Sequence, residues 1–169
     1  MIKLMKARRP GNIARYHTLR LTHSENVAQH SFNVVNILLA ITGGKASKQL
    51  ILAALHHDLG EIETGDIPSP TKKAMGAETK DWLDDVEDRV LMELFPQEYF
   101  PLSAEDELLL KLADNMDGLA KCYEELRAGN KEIRAIGDRY VSYIYKLLDV
   151  TPCALATDLI YHYQKEALS

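Results

Sequence analysis

Apolar residues recur at helical spacing along most of the chain, and no stretch alternates convincingly like a strand. Thr22 and Glu25 have capping-box spacing, so a helix is predicted to begin near Thr22 or Ser24. Val27, Phe32, Val34, Val35, Ile37 and Leu38 then supply a broad apolar face. The paired glycines of "TGGK" (42–45) end it, because glycine accepts φ > 0 and breaks helices. A second helix is predicted from about Ser47 to Gly60; its "QLILAALHH" is apolar nearly all round, the pattern of a buried central helix. "TGDIPSPTK" (64–72) reads as a turn-rich loop. A third helix over 78–94 spaces Trp82, Leu83, Val86, Val90, Leu91 and Leu94 at helical intervals and stops at Pro96. Ser103 caps a long helix to about Arg127, and two more are expected near 131–149 and 152–167. The expected fold is all-α, a compact bundle of about six helices in one domain over 1–169.

The 169 residues, 46% of them hydrophobic, suit a single core. The longest apolar runs, "ILLAI" and "ILAAL", fall far short of the ~18 residues that suggest a membrane span. "MIKLMKARRP" is basic but lacks the apolar segment of a secretory signal. Cys122 and Cys153 form no CxxC pair and read as reduced thiols of a cytoplasmic protein. The net charge of −5 is unevenly spread: residues 1–24 hold six basic side chains and no acid, leaving 14 basic against 25 acidic residues beyond them. That start is either a solvated tail or an arm that meets an anion such as phosphate. No basic stripe with interleaved aromatics points to a nucleic-acid polymer.

The chemistry concentrates where the second helix ends, in "ALHHDLGEIETGDIP" (54–68). Burying several carboxylates and imidazoles together is unfavourable unless they pair or hold a metal. His57, Asp58 and Glu61 can converge there, and Asp66 can return toward them once Gly65 turns the chain. Imidazole plus carboxylates suits Mg, Mn, Fe, Co or Zn. An isolated His-Asp pair would be no more than a stabilised helix end. His30 in "ENVAQHS" and Asp114 in "LLLKLADNMDGL" also sit in core-like helical sequence, which turns the pair into a candidate metal site.

His30, His57-Asp58 and Asp114 together resemble the metal signature of the HD-domain phosphohydrolase superfamily. The likeness is closer to its bacterial 5′-deoxynucleotidase branch, through Arg15-Tyr16, "SENVAQHS", "HDLGEIETGDIPSPTK", "KLAD" and "KCYEELRAGN" in consistent order over about 15–130. The resemblance implies an HD-type helical bundle with one divalent ion (Co, Mn, Mg or Zn) on His30, His57, Asp58 and Asp114. It implies Glu61 and Asp66 as catalytic acids, and Arg15 and Lys72 as phosphate ligands with Arg20 a third. Tyr16 stands where the branch usually has tryptophan beside the sugar, which bears on how strictly deoxyribose is distinguished from ribose. Thr18 belongs to the same substrate-side segment, so residues 1–21 are expected to contribute to the site.

The implied activity is metal-dependent hydrolysis of a 2′-deoxynucleoside 5′-monophosphate to nucleoside and phosphate, by a homo-oligomer. Short phage-type dATP triphosphohydrolases resemble this branch too, and Arg8 and Arg9 would suit a longer phosphate chain. A non-catalytic nucleotide-binding module is the third possibility; losing Glu61 or Asp66 would be its mark, and both are present. Elsewhere the duller readings are the expectation. His56 is packing, His17 and His23 are surface or rim, and His162 is on the surface of the last helix. Tyr140, Tyr143 and Tyr145 read as core with an interface. Asp84, Asp85, Glu87 and Asp88 are a solvated face, and a role for Asp117 near the site is not favoured.

Overall fold

The structure, a computed structural model, describes residues 1–96 and 101–169. Among them no strand forms; Ala14 and Asn26 make one isolated antiparallel bridge. The all-α expectation therefore holds, but the helix count does not. Six helices of nine or more residues are joined by three shorter ones: α1 (Ile2–Ala7), α2 (Val27–Ile41), α3 (Lys48–His56), α4 (Glu61–Thr64), α5 (Ser69–Ala74), α6 (Ala77–Leu94), α7 (Ala104–Arg127), α8 (Arg134–Leu148) and α9 (Ala154–Ala167). The three additions are too short to show a period. Of these, α4 ends where the segment read as turns begins, and α5 lies largely within it and has proline in its first turn.

The cap of α2 is Asn26, two residues after Ser24 and four after Thr22. Asn26 accepts from the Gln29 amide, and the Gln29 side chain accepts from the Asn26 amide, both at 3.0 Å. Thr22 and Glu25 have the same three-residue spacing but take other partners. The helix ends at Thr42, where Gly43 and Gly44 adopt φ of 59° and 76°. Ser47 and Ser103 cap α3 and α7 by accepting from the Leu50 and Asp106 amides.

The central helix is α7, not the apolar α3. It packs against α2, α3, α8 and α9. Its Leu112, Met116, Leu119 and Cys122 form one core with Ile144, Ile160 and Tyr163, and Ala113 joins a second with Val34, Leu38, Leu50 and Ala54. In α3 only Leu50 and Ala54 are buried, and Leu55 is 43% exposed. Alpha-7 escapes a hydropathy reading because its buried face includes Asp117, Lys121 and Glu125.

Those polar groups are partnered. Fully buried Glu125 accepts from Lys121 Nζ (2.8 Å), Asn130 Nδ2 (2.9 Å) and the amides of Thr22 (2.7 Å) and His23 (3.1 Å). Lys121 also donates to the His23 carbonyl at 2.6 Å. The "KCYEELRAGN" motif is thus a clamp on the loop before α2. Burial works against the Glu125 charge, but Lys121, Asn130 and the two amides hold its pKa down at about 2. With the folded value below the unfolded one, the stabilisation is complete above the ordinary carboxylate range and drains away as pH falls toward 2. Glu125→Ala leaves Lys121 charged and buried, so it is expected to lower stability by about 3 kcal/mol at neutral pH. Calorimetry should then show a melting midpoint roughly 10 °C lower.

Lys3, Lys6 and Arg9 of the basic start are pinned on acidic partners, so that stretch is not a free tail. Lys6 pairs with Glu63 (3.1 Å) and Glu93 (2.6 Å), Lys3 donates to the Glu93 carbonyl, and Arg9 lies 3.7 Å from Glu63. No residue of α1 is buried. The acidic face of α6 is also not wholly solvated: half-buried Glu87 accepts from Thr64 Oγ1 at 3.2 Å. Its Cβ presses on Gly60, where a side chain would collide with it. That close approach seats α6 against the turn that carries the His-Asp pair.

Candidate active site

The predicted continuous helix breaks after His56. Tight turns, Leu59 amide to His56 carbonyl (2.9 Å) and Glu61 amide to Asp58 carbonyl (3.2 Å), carry the chain into α4. His57 and Asp58 lie in that turn, facing His30 of α2 and Asp114 of α7. His30 Nε2 lies 3.2 Å from His57 Nε2, 3.1 Å from Asp114 Oδ1 and 3.4 Å from Asp58 Oδ2. His57 Nε2 lies 3.5 Å from Asp58 Oδ2 and 3.9 Å from Asp114 Oδ1.

The outer nitrogens fix the tautomers. His57 Nδ1 must donate to the Ala54 carbonyl, at 2.8 Å, because a carbonyl only accepts. His30 Nδ1 contacts Asp117 Oδ2 at 2.6 Å, where a carboxylate likewise makes the ring the donor. The two Nε2 atoms then face one another among carboxylate oxygens, an arrangement that a proton or a metal cation between them stabilises. Burial disfavours charged imidazoles, yet Asp58 and Asp114 hold the His57 pKa up at about 9, and Asp114 and Asp117 raise that of His30. Asp114 itself is driven far below the usual carboxylate range by the two rings, despite its burial. Two neutral imidazoles and two carboxylates fit one divalent ion, with the outer hydrogen bonds fixing the rings.

Asp117 is the clearest miss of the sequence reading: it lies one turn beyond Asp114 and is the partner of His30. Glu25 is the second. Buried where a capping role was expected, it lies 3.2 Å from Arg15 Nε. Burial and the charge of Asp117 raise its pKa, while Arg15 opposes the rise.

Arg15 Nη1 donates to Asp58 Oδ2 at 3.0 Å. Tyr16 holds the left-handed conformation (φ 54°), at a cost of about 1 kcal/mol. Its amide faces Asp66 Oδ2 at 3.3 Å, and its hydroxyl meets that of Tyr140 at 3.0 Å. Tyr140 is therefore more than core packing: its ring lies against Gly118, where a Cβ would overlap it. Gly65 turns at φ 74°, as its place before Asp66 suggested.

Glu61 is buried, with Oε1 3.7 Å from Lys72 Nζ; Glu87 lies 3.8 Å from the same amine. Its Oε2 is buried without a hydrogen-bond partner among the described residues. Burial, then the charges of Asp58 and Asp66, push its pKa to about 9 against Lys72 and Arg15. Ile13, His17, Thr18, Gly65, Asp66 and Thr71 line an open cleft of about 650 Å³. Arg20 is not brought into this group. It is exposed, and its carbonyl accepts from Asn130 at the Glu125 clamp. His56 stacks on Phe95, with ring centroids 4.3 Å apart, and exposed His162 lies 3.6 Å from Asp158.

A helical scaffold that brings two histidines and two aspartates together, with a largely buried arginine and acids beside them, is the arrangement of a class: the HD-type, metal-dependent phosphohydrolases. The chain belongs to the YfbR-like 5′-deoxynucleotidase family, whose family model matches residues 4–154. The 5′-deoxynucleotidase YfbR of Escherichia coli O127:H6 (strain E2348/69 / EPEC) is 31% identical over 140 residues, which cover 71% of this chain and 70% of that protein. The Salmonella typhi relative of the same name is 32% identical over 142 residues, covering 72% and 71%. Among solved structures, PH0347 from Pyrococcus horikoshii OT3 is similar with a TM-score of 0.70 at 24% identity, over 96% of this chain and 99% of that one. The cyanophage S-2L HD phosphohydrolase DatZ, bound to dA and one catalytic Zn²⁺, gives 0.65 at 20% identity over 97% and 95%. At these identities the two structures speak to the fold. Among the described residues, no helix is long and apolar enough to cross a membrane.

Proposed function

We propose that the protein is a metal-dependent 5′-deoxynucleotidase that converts deoxynucleoside 5′-monophosphates to deoxynucleosides and phosphate. The observation that carries this reading is the meeting of His30 Nε2, His57 Nε2, Asp58 Oδ2 and Asp114 Oδ1, all pairs named above lying within 3.9 Å. Family membership supplies the substrate class. These four residues would hold one divalent ion, which when bound neutralises charge growing on the phosphoryl oxygens and acidifies water.

The rest is positioning and proton movement, as phosphoryl transfer requires. Arg15 holds phosphate oxygens through its guanidinium, and Lys72 adds a second positive charge beside Glu61. Water attacks phosphorus, the P–O5′ bond breaks, and the nucleoside oxygen takes a proton. Glu61 and Asp66 hold the proton lost by the water and the one gained by the leaving oxygen; either order balances. His17 and Thr18 line the cleft and the Tyr16 amide faces Asp66 beside it, which is the contribution of segment 1–21. Free Cys122 and Cys153 suit a cytoplasmic location. A second copy would cover apolar Leu155 and Tyr161, which α9 leaves exposed.

Arg9 is paired with Glu63 and Arg8 is exposed on the surface, so neither supports a longer phosphate chain. The deciding experiment is anion-exchange analysis of products. Metal-stripped protein, resupplied separately with Mg, Mn, Co or Zn, is incubated with each dNMP, dNTP and matching ribonucleotide. Nucleoside and orthophosphate from dNMPs are expected. Nucleoside released from dNTPs instead would make it a triphosphohydrolase, and silence on both would leave a binding module.

A further inference from the structure

Glu25 is buried, precedes the helix instead of capping it, and takes no part in the chemistry above. It is tied to Arg15 twice. Its carbonyl accepts from the Arg15 amide at 3.0 Å, within the bridge that also joins the Val27 amide to the Ile13 carbonyl. Its Oε2 lies 3.2 Å from Arg15 Nε, in a pair whose side chains are 8% and 10% exposed. We infer that Glu25 is the positioning residue that aims Arg15 at the substrate phosphate, an inference that rests on the reading of Arg15 as the phosphate ligand.

The geometry divides the guanidinium into two ends. Nε is ion-paired with Glu25 at 3.2 Å without a hydrogen bond between them, whereas Nη1 donates to Asp58 at 3.0 Å. An arginine side chain has about 2 kcal/mol of rotamer entropy to lose on binding an anion. Glu25 removes that freedom in advance, as preorganised sites do. It also holds the guanidinium away from a two-pronged grip on Asp58, which would set Arg15 against the metal for one carboxylate. Glu25, His30 and Asp117 place ligand atoms within 4.8 Å of one another, the spacing of a cation site. His30 Nδ1 is already the donor to Asp117, so that trio is a hydrogen-bonded pair beside an arginine-bound carboxylate.

The test is steady-state kinetics of the metal-loaded enzyme with a dNMP, inorganic phosphate as competing ligand, and metal content by mass spectrometry. Glu25→Gln is expected to raise KM and the phosphate inhibition constant about 10-fold. The kcat should stay within about twofold, with unchanged metal content. In an Arg15→Ala background the same substitution should add nothing, because Glu25 acts through Arg15. A fall in kcat with metal loss, or an additive effect on the double variant, overturns the inference. If Arg15→Ala itself moves neither constant, the phosphate reading of Arg15 has failed; if it moves both and Glu25→Gln moves neither, only the role of Glu25 has failed. Should Glu25→Gln not fold, Glu25→Asp is read the same way: its shorter arm should raise the phosphate constant, and an unchanged one counts against the inference.

Discussion

Asp58→Ala is expected to remove the divalent ion and, with it, nearly all deoxynucleotide hydrolysis. Asp58 Oδ2 lies within 3.5 Å of both inward-facing imidazole nitrogens and accepts from Arg15 Nη1 at 3.0 Å. Deleting it takes one of two carboxylates from the ligand set and frees the phosphate-binding arginine from its inner anchor. The two Nε2 atoms would remain 3.2 Å apart with only Asp114 to offset a metal's charge. Losing the ion forfeits about 4 kcal/mol or more of transition-state stabilisation, a rate loss of roughly 1000-fold. Metal stoichiometry and turnover should fall together, and supplementing the assay with excess metal should restore only part of the rate. A variant that keeps both stoichiometry and turnover would remove Asp58 from the site.

Glu61→Gln should separate catalysis from metal binding. Glu61 contacts Lys72 and leaves Oε2 buried without a partner among the described residues, so its loss should spare the ion. Turnover is expected to drop about 100- to 1000-fold, the range for a lost general acid or base. Stability should move the other way. Burial and the charges of Asp58 and Asp66 raise the folded pKa to about 9, far above the unfolded value. In the metal-free protein, stability must therefore decline as pH climbs between those values, because the unfolded chain releases the proton first. Glutamine is the neutral isostere of the protonated acid, so metal-free Glu61→Gln should match the parent near pH 5 and melt higher near pH 8. Thermal denaturation across that interval checks it; a parallel loss of metal would assign Glu61 to the ligand set instead.

The long helices were legible in the sequence because each keeps a 3.6-residue apolar period over at least two turns. His30, His57, Asp58 and Asp114 stood out as candidates because polar groups interrupt core-like helical sequence there, and the family resemblance gathered them into one ligand set. What escaped was pairing across distance. Nothing near Asp117 names His30, 87 positions away, as its partner, although an acid at i+3 from Asp114 in an apolar run was a usable signal. Glu25 was lost to a coincidence of spacing: Thr22–Glu25 and Asn26–Gln29 satisfy the same capping rule, and only packing chooses between them. The central role went to α3 because hydropathy treats Lys121 and Glu125 as solvated, when each is buried on the other.

The attachment of α1 has a consequence for handling the protein. That helix buries none of its side chains and is held by lysines 3 and 6 and arginine 9 on Glu63 and Glu93. Such ion pairs, 2.6–3.7 Å long, weaken as the Debye length shrinks from about 8 Å at physiological ionic strength to about 3 Å at 1 M. Buffer strength is therefore a dial on the hold of the leading segment. It loosens the leading helix while leaving the oily seam along α7 untouched, and Glu63, two residues from Glu61, is where that dial reaches the catalytic wall.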